Sequence, residues 1–157
     1  ASFPTNSCTF SAYFYRTSAT IGNWTRLVGL HTTSVYNSVQ TGLNSIGTTT
    51  TEKIVVYADS ASNMYTGNPI AIYDEWIHFC ITYYNNGSSS SGKIYINGVN
   101  ETTYSNSTLD IEQYVIGGYG DLSNPQPYAG FYLNDVRVYN KVLSDSEVSS
   151  LYDYISY

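Results

Sequence analysis

The stretch YAGFYLNDVRVYNKVLSDSEVSSLY, from Tyr128 to Tyr152, passes from an apolar strand through a polar turn into a short helix. Ser144, Asp145, Ser146 and Glu147 open that helix. The Ser144 hydroxyl can accept from the backbone N–H three residues on, while Glu147 reaches back to the N–H of Ser144, which makes a capping box. Behind it Val148, Leu151, Tyr152 and Ile155 fall on one stripe at helical spacing. A helix this short does not hold by itself, so the stripe must dock on an apolar surface.

Upstream of this ending, short β-rich runs alternate with clusters of Gly, Asn, Ser and Thr, the pattern of an antiparallel sandwich. Strands are expected near Phe10–Arg16, Arg26–His31, Lys53–Ala58, Trp76–Tyr83, Lys93–Ile96, Tyr114–Ile116 and Phe131–Tyr139, with others between them. Phe10, Ala12 and Phe14 alternate with Ser11, Tyr13 and Tyr15, so one face of that strand is apolar and the other amphipathic. Trp76–Tyr83 carries large side chains on both faces, which predicts a central strand covered on both sides, on one of them by the C-terminal helix. Asn97-Gly98 supplies two residues tolerant of positive φ and fixes a type I′ hairpin after Lys93–Ile96. The stretch NNGSSSSG, Asn85 to Gly92, reads as a mobile hairpin loop. No internal repeat or linker divides the chain, and one domain over 1–157 is the economical reading.

The 157 residues suffice to bury a core without staples, so the two cysteines do not make a disulfide scaffold. Only 11% of the residues are charged, whereas Ser, Thr and Asn make up about a third and there are 18 tyrosines. This composition suits an extracellular or virion surface that meets neutral sugars or other proteins. A net charge of −6 and six scattered basic residues exclude a nucleic-acid partner, whose phosphates are bound by clustered Lys and Arg. No apolar run approaches the roughly 20 residues of a membrane helix, so no membrane insertion is expected. The chain starts at Ala1, without a basic-then-apolar leader, and is expected to be a piece of a larger protein.

Trp76-Ile-His-Phe-Cys-Ile-Thr-Tyr83, a Gly-rich loop, then Lys93-Ile-Tyr-Ile-Asn-Gly-Val99 resembles the central motif of laminin-G-like and pentraxin-like domains of the concanavalin A-like lectin/glucanase superfamily. There a Trp-His strand ending in Thr-Tyr leads into a lysine, aromatic, Asn/Asp-Gly hairpin. The Phe10–Tyr15 opening, Ile116-Gly-Gly and the closing strand-then-helix follow the same order. The resemblance implies an all-β, two-sheet antiparallel jelly roll with a short C-terminal helix, and recognition rather than catalysis.

The residues themselves offer little for catalysis. Glycoside hydrolases of this fold set three carboxylates at alternate positions of one strand; Thr108-Leu-Asp110-Ile-Glu112 imitates the spacing, but a neutral hydroxyl stands where the nucleophile belongs. Asp74 and Glu75 point to opposite faces if extended and form no dyad. His31 has no identifiable partner and His78, mid-strand, is expected to serve packing. The two His and two Cys lack the close spacing of a zinc site, and Gly117-Gly118-Tyr119-Gly120 lacks the full nucleotide-loop pattern. No enzyme activity is expected.

Pentraxin-like domains hold calcium with an early Asp-Asn pair and acidic residues after the strand ending in Gly. Here only Asn37 and Asp121 survive at those places, short of the six to eight oxygens calcium prefers. No cofactor is expected, with calcium as the alternative. The resemblance also implies a bridge between Cys8 and Cys80, but Cys8 lies three residues before the expected partner position, and an odd offset puts it on the other face unless the strand bends near Thr9. The sequons at Asn23, Asn86, Asn100 and Asn106 indicate exposure.

The expected ligand is a glycan or glycosylated surface, bound at one rim by Tyr119, Asp121, Asn124 and Tyr128 with Asn37 facing them. Tyrosine rings lie against sugar faces while Asn and Asp fix hydroxyls, and Pro125 and Pro127 restrict the loop and lower the entropy lost on binding. The alternative is a structural or protein-adhesion domain of a virion, fibre or surface layer that binds no small ligand, and oligomeric state separates the two.

Overall fold

In β1 (Ser7–Arg16) the side chains of Cys8, Phe10, Ala12 and Phe14 turn to one face and those of Thr9, Ser11 and Tyr13 to the other, and all seven are buried. A strand covered on both faces belongs in the middle of a sheet. The computed structural model describes residues 6–16, 25–31, 38–45, 52–58, 63–70, 74–107, 113–116, 118–119, 126–127 and 131–154. After β1 come β2 (Thr25–His31), β3 (Ser38–Ser45), β4 (Glu52–Ala58) and β5 (Asn63–Ile70), then β6 (Trp76–Asn85), β7 (Ser89–Ile96) and β8 (Val99–Ser107). The chain continues with β9 (Gln113–Ile116), β10 (Gly118–Tyr119), β11 (Gln126–Pro127) and β12 (Phe131–Tyr139), and ends in α1 (Asp145–Tyr154).

Two five-stranded antiparallel sheets result, in the orders β12-β1-β6-β7-β8 and β5-β4-β3-β2-β9, with β10-β11 as a small ribbon beside β2. This is the expected all-β jelly-roll sandwich. On the inner face of the first sheet Phe10, Phe14, Ile77, Phe79, Ile81 and Tyr83 are no more than 2% exposed. The outer face carries a second cluster, Cys80, Tyr95, Leu143 and Val148, with Tyr139 and Leu151 packed against it. The prediction for Trp76–Tyr83 holds: β6 is central, and α1 covers its outer face.

Hydrogen bonds from β1 place the helix. The Thr9 hydroxyl donates to the Lys141 carbonyl (2.8 Å) and accepts from the Leu143 N–H (3.0 Å), while the Tyr13 hydroxyl donates to the Tyr152 carbonyl (3.1 Å). The capping box forms as read: the Ser144 N–H donates to Glu147 Oε2 at 2.8 Å, and the Glu147 N–H donates to Ser144 Oγ at 3.3 Å. Lys141 and the cap hold the Glu147 carboxyl well below the usual range, at about 2. Of the predicted stripe, Val148 is buried and Leu151 and Tyr152 are half-buried; Ile155 lies outside the described residues. Val148→Ala should therefore cost about 2 kcal/mol and Ser144→Ala about 1 kcal/mol, both measured as shifts in urea midpoint. An unchanged midpoint for Val148→Ala means that the helix does not dock in solution.

Asn97 and Gly98 have φ of 48° and 77°, as the type I′ turn requires. Asn97 also prolongs the ladder: its N–H donates to the His78 carbonyl and its Oδ1 accepts from the His78 N–H, both at 2.9 Å. Gly98 lies under α1, where a Cβ would come 3.2 Å from Tyr152 Cβ.

The tract NNGSSSSG is not a loop throughout. Ser89–Gly92 belong to β7, Ser90 is fully buried, and only Asn86, Gly87 and Ser88 make the turn. Asn86 Oδ1 accepts from the N–H groups of Ser88 (2.9 Å) and Ser89 (2.8 Å), and Asn85 Oδ1 from that of Gly87 (2.8 Å). Backbone ladders on both sides hold a serine run in a strand where its side chains offer no alternation to read. Apart from the two-residue β10 and β11, the strands not named from sequence, β3, β5 and β8, are likewise rich in Ser, Thr, Asn and Gly, and two of them, β5 and β8, are edges.

Candidate functional site

The loop after Ile116 returns on itself: Tyr119 in β10 pairs with Gln126 in β11, and Gly118 with Pro127. This backbone pairing closes the base of the segment that carries Asp121 and Asn124. Asp121, Asn124, Tyr128 and Asn37 lie outside the described residues, as do Thr108, Asp110 and Glu112, and so do the side chains of Tyr119 and His31. Among the described residues no group of three or more His, Cys, Asp or Glu could hold a metal ion.

Cys8 and Cys80 form no disulfide with each other, which corrects the bridge implied by the pentraxin-like resemblance. Cys8 stands opposite Tyr83 on the inner face, whereas Cys80 stands opposite Ser11 on the outer face under α1. The sheet itself separates the two sulfurs, because an offset of three residues reverses the side a strand residue faces. No bend near Thr9 intervenes, since the β1–β6 register runs unbroken from Ser7 to Tyr15. Burial pushes the Cys80 thiol up to about 12, so it is no nucleophile at neutral pH.

In the position opposite Cys80, Ser11 instead meets a histidine. Ser11 Oγ and His78 Nε2 lie 2.9 Å apart, both buried, with the His78 ring between Tyr13 (4.9 Å) and Tyr152 (6.0 Å). Among the described residues His78 Nδ1 has no hydrogen-bond partner. A serine–histidine pair that lacks an orienting acid and is sealed under a helix cannot act on a substrate. His78 thus serves packing, as expected, although only one of its ring nitrogens is satisfied. Burial lowers its pKa to about 4, against a partial opposing effect of Asp135.

Two grooves flank α1, of about 460 and 440 Å³. Each is crossed by an ion pair that pins the helix start, Lys93–Asp145 at 2.7 Å in the first and Lys141–Glu147 at 2.5 Å in the second. Tyr95 donates a further 2.7 Å bond to Asp145, and Lys93 and Tyr95 together hold the Asp145 carboxyl low. The charged groups Lys93, Asp145, Lys141 and Glu147 of the two grooves are thus spent on seating the helix.

Beyond the C-terminal end of α1 the outer face carries a feature that sequence reading missed. Tyr15 pairs in register with Trp76 on one side and Tyr132 on the other. The three rings form a row across three neighbouring strands, with centroids 5.5 Å (Tyr15–Trp76) and 6.3 Å (Tyr15–Tyr132) apart. Trp76 is 39% exposed and Tyr132 65% exposed. Each residue was visible at a strand end, but their side-by-side register depends on a bulge in β12 near Asp135, whose φ is 50°.

Comparison with known proteins supports this architecture. No curated protein sequence matches the chain. Among solved structures, a heptameric SAP-like pentraxin from Limulus polyphemus superposes with a TM-score of 0.67 at 16% identity, covering 94% of this chain and 70% of the pentraxin. The CBM40 of the Ruminococcus gnavus IT-sialidase, solved with α2,3-sialyllactose, gives 0.66 at 12% identity over 94% of this chain and 83% of the CBM40. Botulinum neurotoxin type C, in a structure concerned with its interaction with two ganglioside molecules, gives 0.60 at 16% identity, and this chain spans 36% of it. At such identities the likeness is one of fold. Residues 1–149 match the model of Laminin_G_3, of the concanavalin A-like lectin/glucanases superfamily, and the chain belongs to that family.

Proposed function

We propose that the protein is a non-catalytic module that binds glycan or a glycosylated surface outside a cell. The observation that carries this reading is the sandwich shared over 94% of the chain with a sialidase carbohydrate-binding module solved with sialyllactose. The buried, unoriented Ser11–His78 pair is consistent with a role that needs no catalytic group. Binding is assigned to the rim after Ile116, through Tyr119, Asp121, Asn124 and Tyr128, with Asn37 facing them. Asn37 and Asp121 alone are too few oxygens to hold calcium tightly, so binding is expected to be calcium-independent. A glycan array with the purified chain, repeated in EDTA and with Tyr119→Ala and Asp121→Ala, tests this. Specific binding that survives EDTA and falls about tenfold in either variant is the expected result. Affinities unchanged in both variants refute the rim assignment.

A second reading, protein adhesion or assembly within a virion, fibre or surface layer, draws on the edge strand β12, where Val136 and Val138 are 45% and 47% exposed. A stable oligomer in light scattering, with no glycan bound, favours it over the first.

A further inference from the structure

We infer that the row Tyr132–Tyr15–Trp76 is a stacking platform for a neutral oligosaccharide, on the helix-bearing face of the first sheet. The inference rests on the glycan reading and adds to it a second surface and a ligand class. Soluble proteins rarely expose contiguous large apolar side chains without use for them. Here three aromatic rings are aligned by register rather than scattered, so the sheet fixes the spacing of the residues that carry them. Tyr15 in the middle is half-buried and braces its neighbours. Successive rings are tilted by 50° and 49°, which makes a stepped strip instead of a flat one. A chain of linked sugar rings, each presenting C–H groups to an aromatic face, follows such steps; a flat apolar partner does not.

Charge narrows the ligand class. The residues leading into Trp76 are Asp74 and Glu75, both exposed, and Asp74 is held at a φ of 60° in the bend before β6. Two exposed acidic residues immediately before Trp76 disfavour acidic sugars at this end of the row by like-charge repulsion. A second copy of the chain is a poorer occupant, because a twofold contact through this patch sets the same carboxylates against each other.

The test compares the intact chain with Trp76→Ala, Tyr132→Ala and Tyr132→Phe, using neutral linear hexasaccharides (cello-, laminari- and xylo-) and 3′-sialyllactose in calorimetry. Thermal melts check that each variant is folded. Tyr132 is an exposed edge residue, so its variants keep the proposal testable even if Trp76→Ala fails to fold. The expected result is binding of at least one neutral hexasaccharide, weakened about tenfold by each alanine and retained by Tyr132→Phe. Binding that is unaltered in both alanine variants overturns the platform and leaves the glycan reading intact. Tighter binding of sialyllactose than of any neutral sugar overturns the ligand class. No binding to any of these sugars, nor to a glycan array, overturns the platform and the proposed function together. A dimer in light scattering that Tyr132→Ala dissolves makes the row a self-interface and also overturns the proposal.

Discussion

Gly92→Ala is expected to destabilise the protein by on the order of 4 kcal/mol, a large share of a typical domain's stability. A Cβ at residue 92 would lie 1.9 Å from the Thr82 carbonyl oxygen and 2.4 Å from the Tyr104 hydroxyl. Neither obstacle can move away cheaply. The Tyr104 hydroxyl is buried and donates a 2.7 Å hydrogen bond to that same Thr82 carbonyl. Thr82 is itself tied to the next residue of β7, its Oγ1 accepting from the Lys93 N–H at 2.9 Å. The β6–β7 ladder skips here, from the Ile81–Ile94 pair to the Tyr84–Ser91 pair, and the tyrosine fills the gap over the glycine. Gly87→Ala, five residues away, is the control. Gly87 has a φ of 88° but nothing within 4 Å of its absent Cβ, so only the left-handed backbone opposes alanine, by about 1 kcal/mol. Urea melts of the two variants separate the two costs. Equal midpoints refute the packing argument, and Tyr104→Phe should not rescue Gly92→Ala, because the Thr82 carbonyl remains in the way.

Acid should weaken the fold between about pH 6.5 and pH 4 through His78. Its pKa falls from 6.5 in the unfolded chain to about 4 in the folded one, chiefly because burial opposes the charged ring. The unfolded state therefore binds the proton more readily across that interval, and stability rises with pH there. His78 contributes its full stabilisation above pH 6.5 and loses on the order of 3 kcal/mol of it by pH 4. Asp135 favours and Arg137 opposes protonation, but neither reverses the effect of burial. Glu147, held at about 2, loses its own contribution as pH falls from about 4.5 toward 2, so it overlaps the His78 interval only at its acid end. Denaturant midpoints at pH 7 and pH 4.5 for the parent and for His78→Gln, which can keep a bond to Ser11, measure the effect. If both proteins lose the same stability between these two pH values, His78 is not the acid-sensitive group.

The two candidate binding surfaces adjoin along the chain. Tyr128 of the rim stands four residues before Tyr132 of the aromatic row, and the β10–β11 ribbon leads into the same connection. Variants at Tyr119 and at Tyr132 thus report on neighbouring stretches of one connection, and their separate effects tell whether one ligand engages both.

Sequence alone determined the sandwich, the central position of the Trp76 strand, the type I′ hairpin at Asn97-Gly98 and the capped C-terminal helix. Each of these is a local rule: alternation of side chains, positive φ at two adjacent residues, and Ser and Glu spaced for a cap. Sequence also contained the objection to the Cys8–Cys80 bridge, since an odd offset along a strand reverses its face. Tertiary structure decided the rest, because cross-strand register is a relation between residues far apart in the chain. Ser11 facing His78, Gly92 lying under Tyr104, and Tyr15 joining Trp76 to Tyr132 all follow from how β1, β6, β7, β8 and β12 are aligned. Two glycines of one Gly- and Ser-rich tract differ for the same reason: Gly87 is required by its own backbone angle, and Gly92 by the Thr82 carbonyl and the Tyr104 ring of the neighbouring strands.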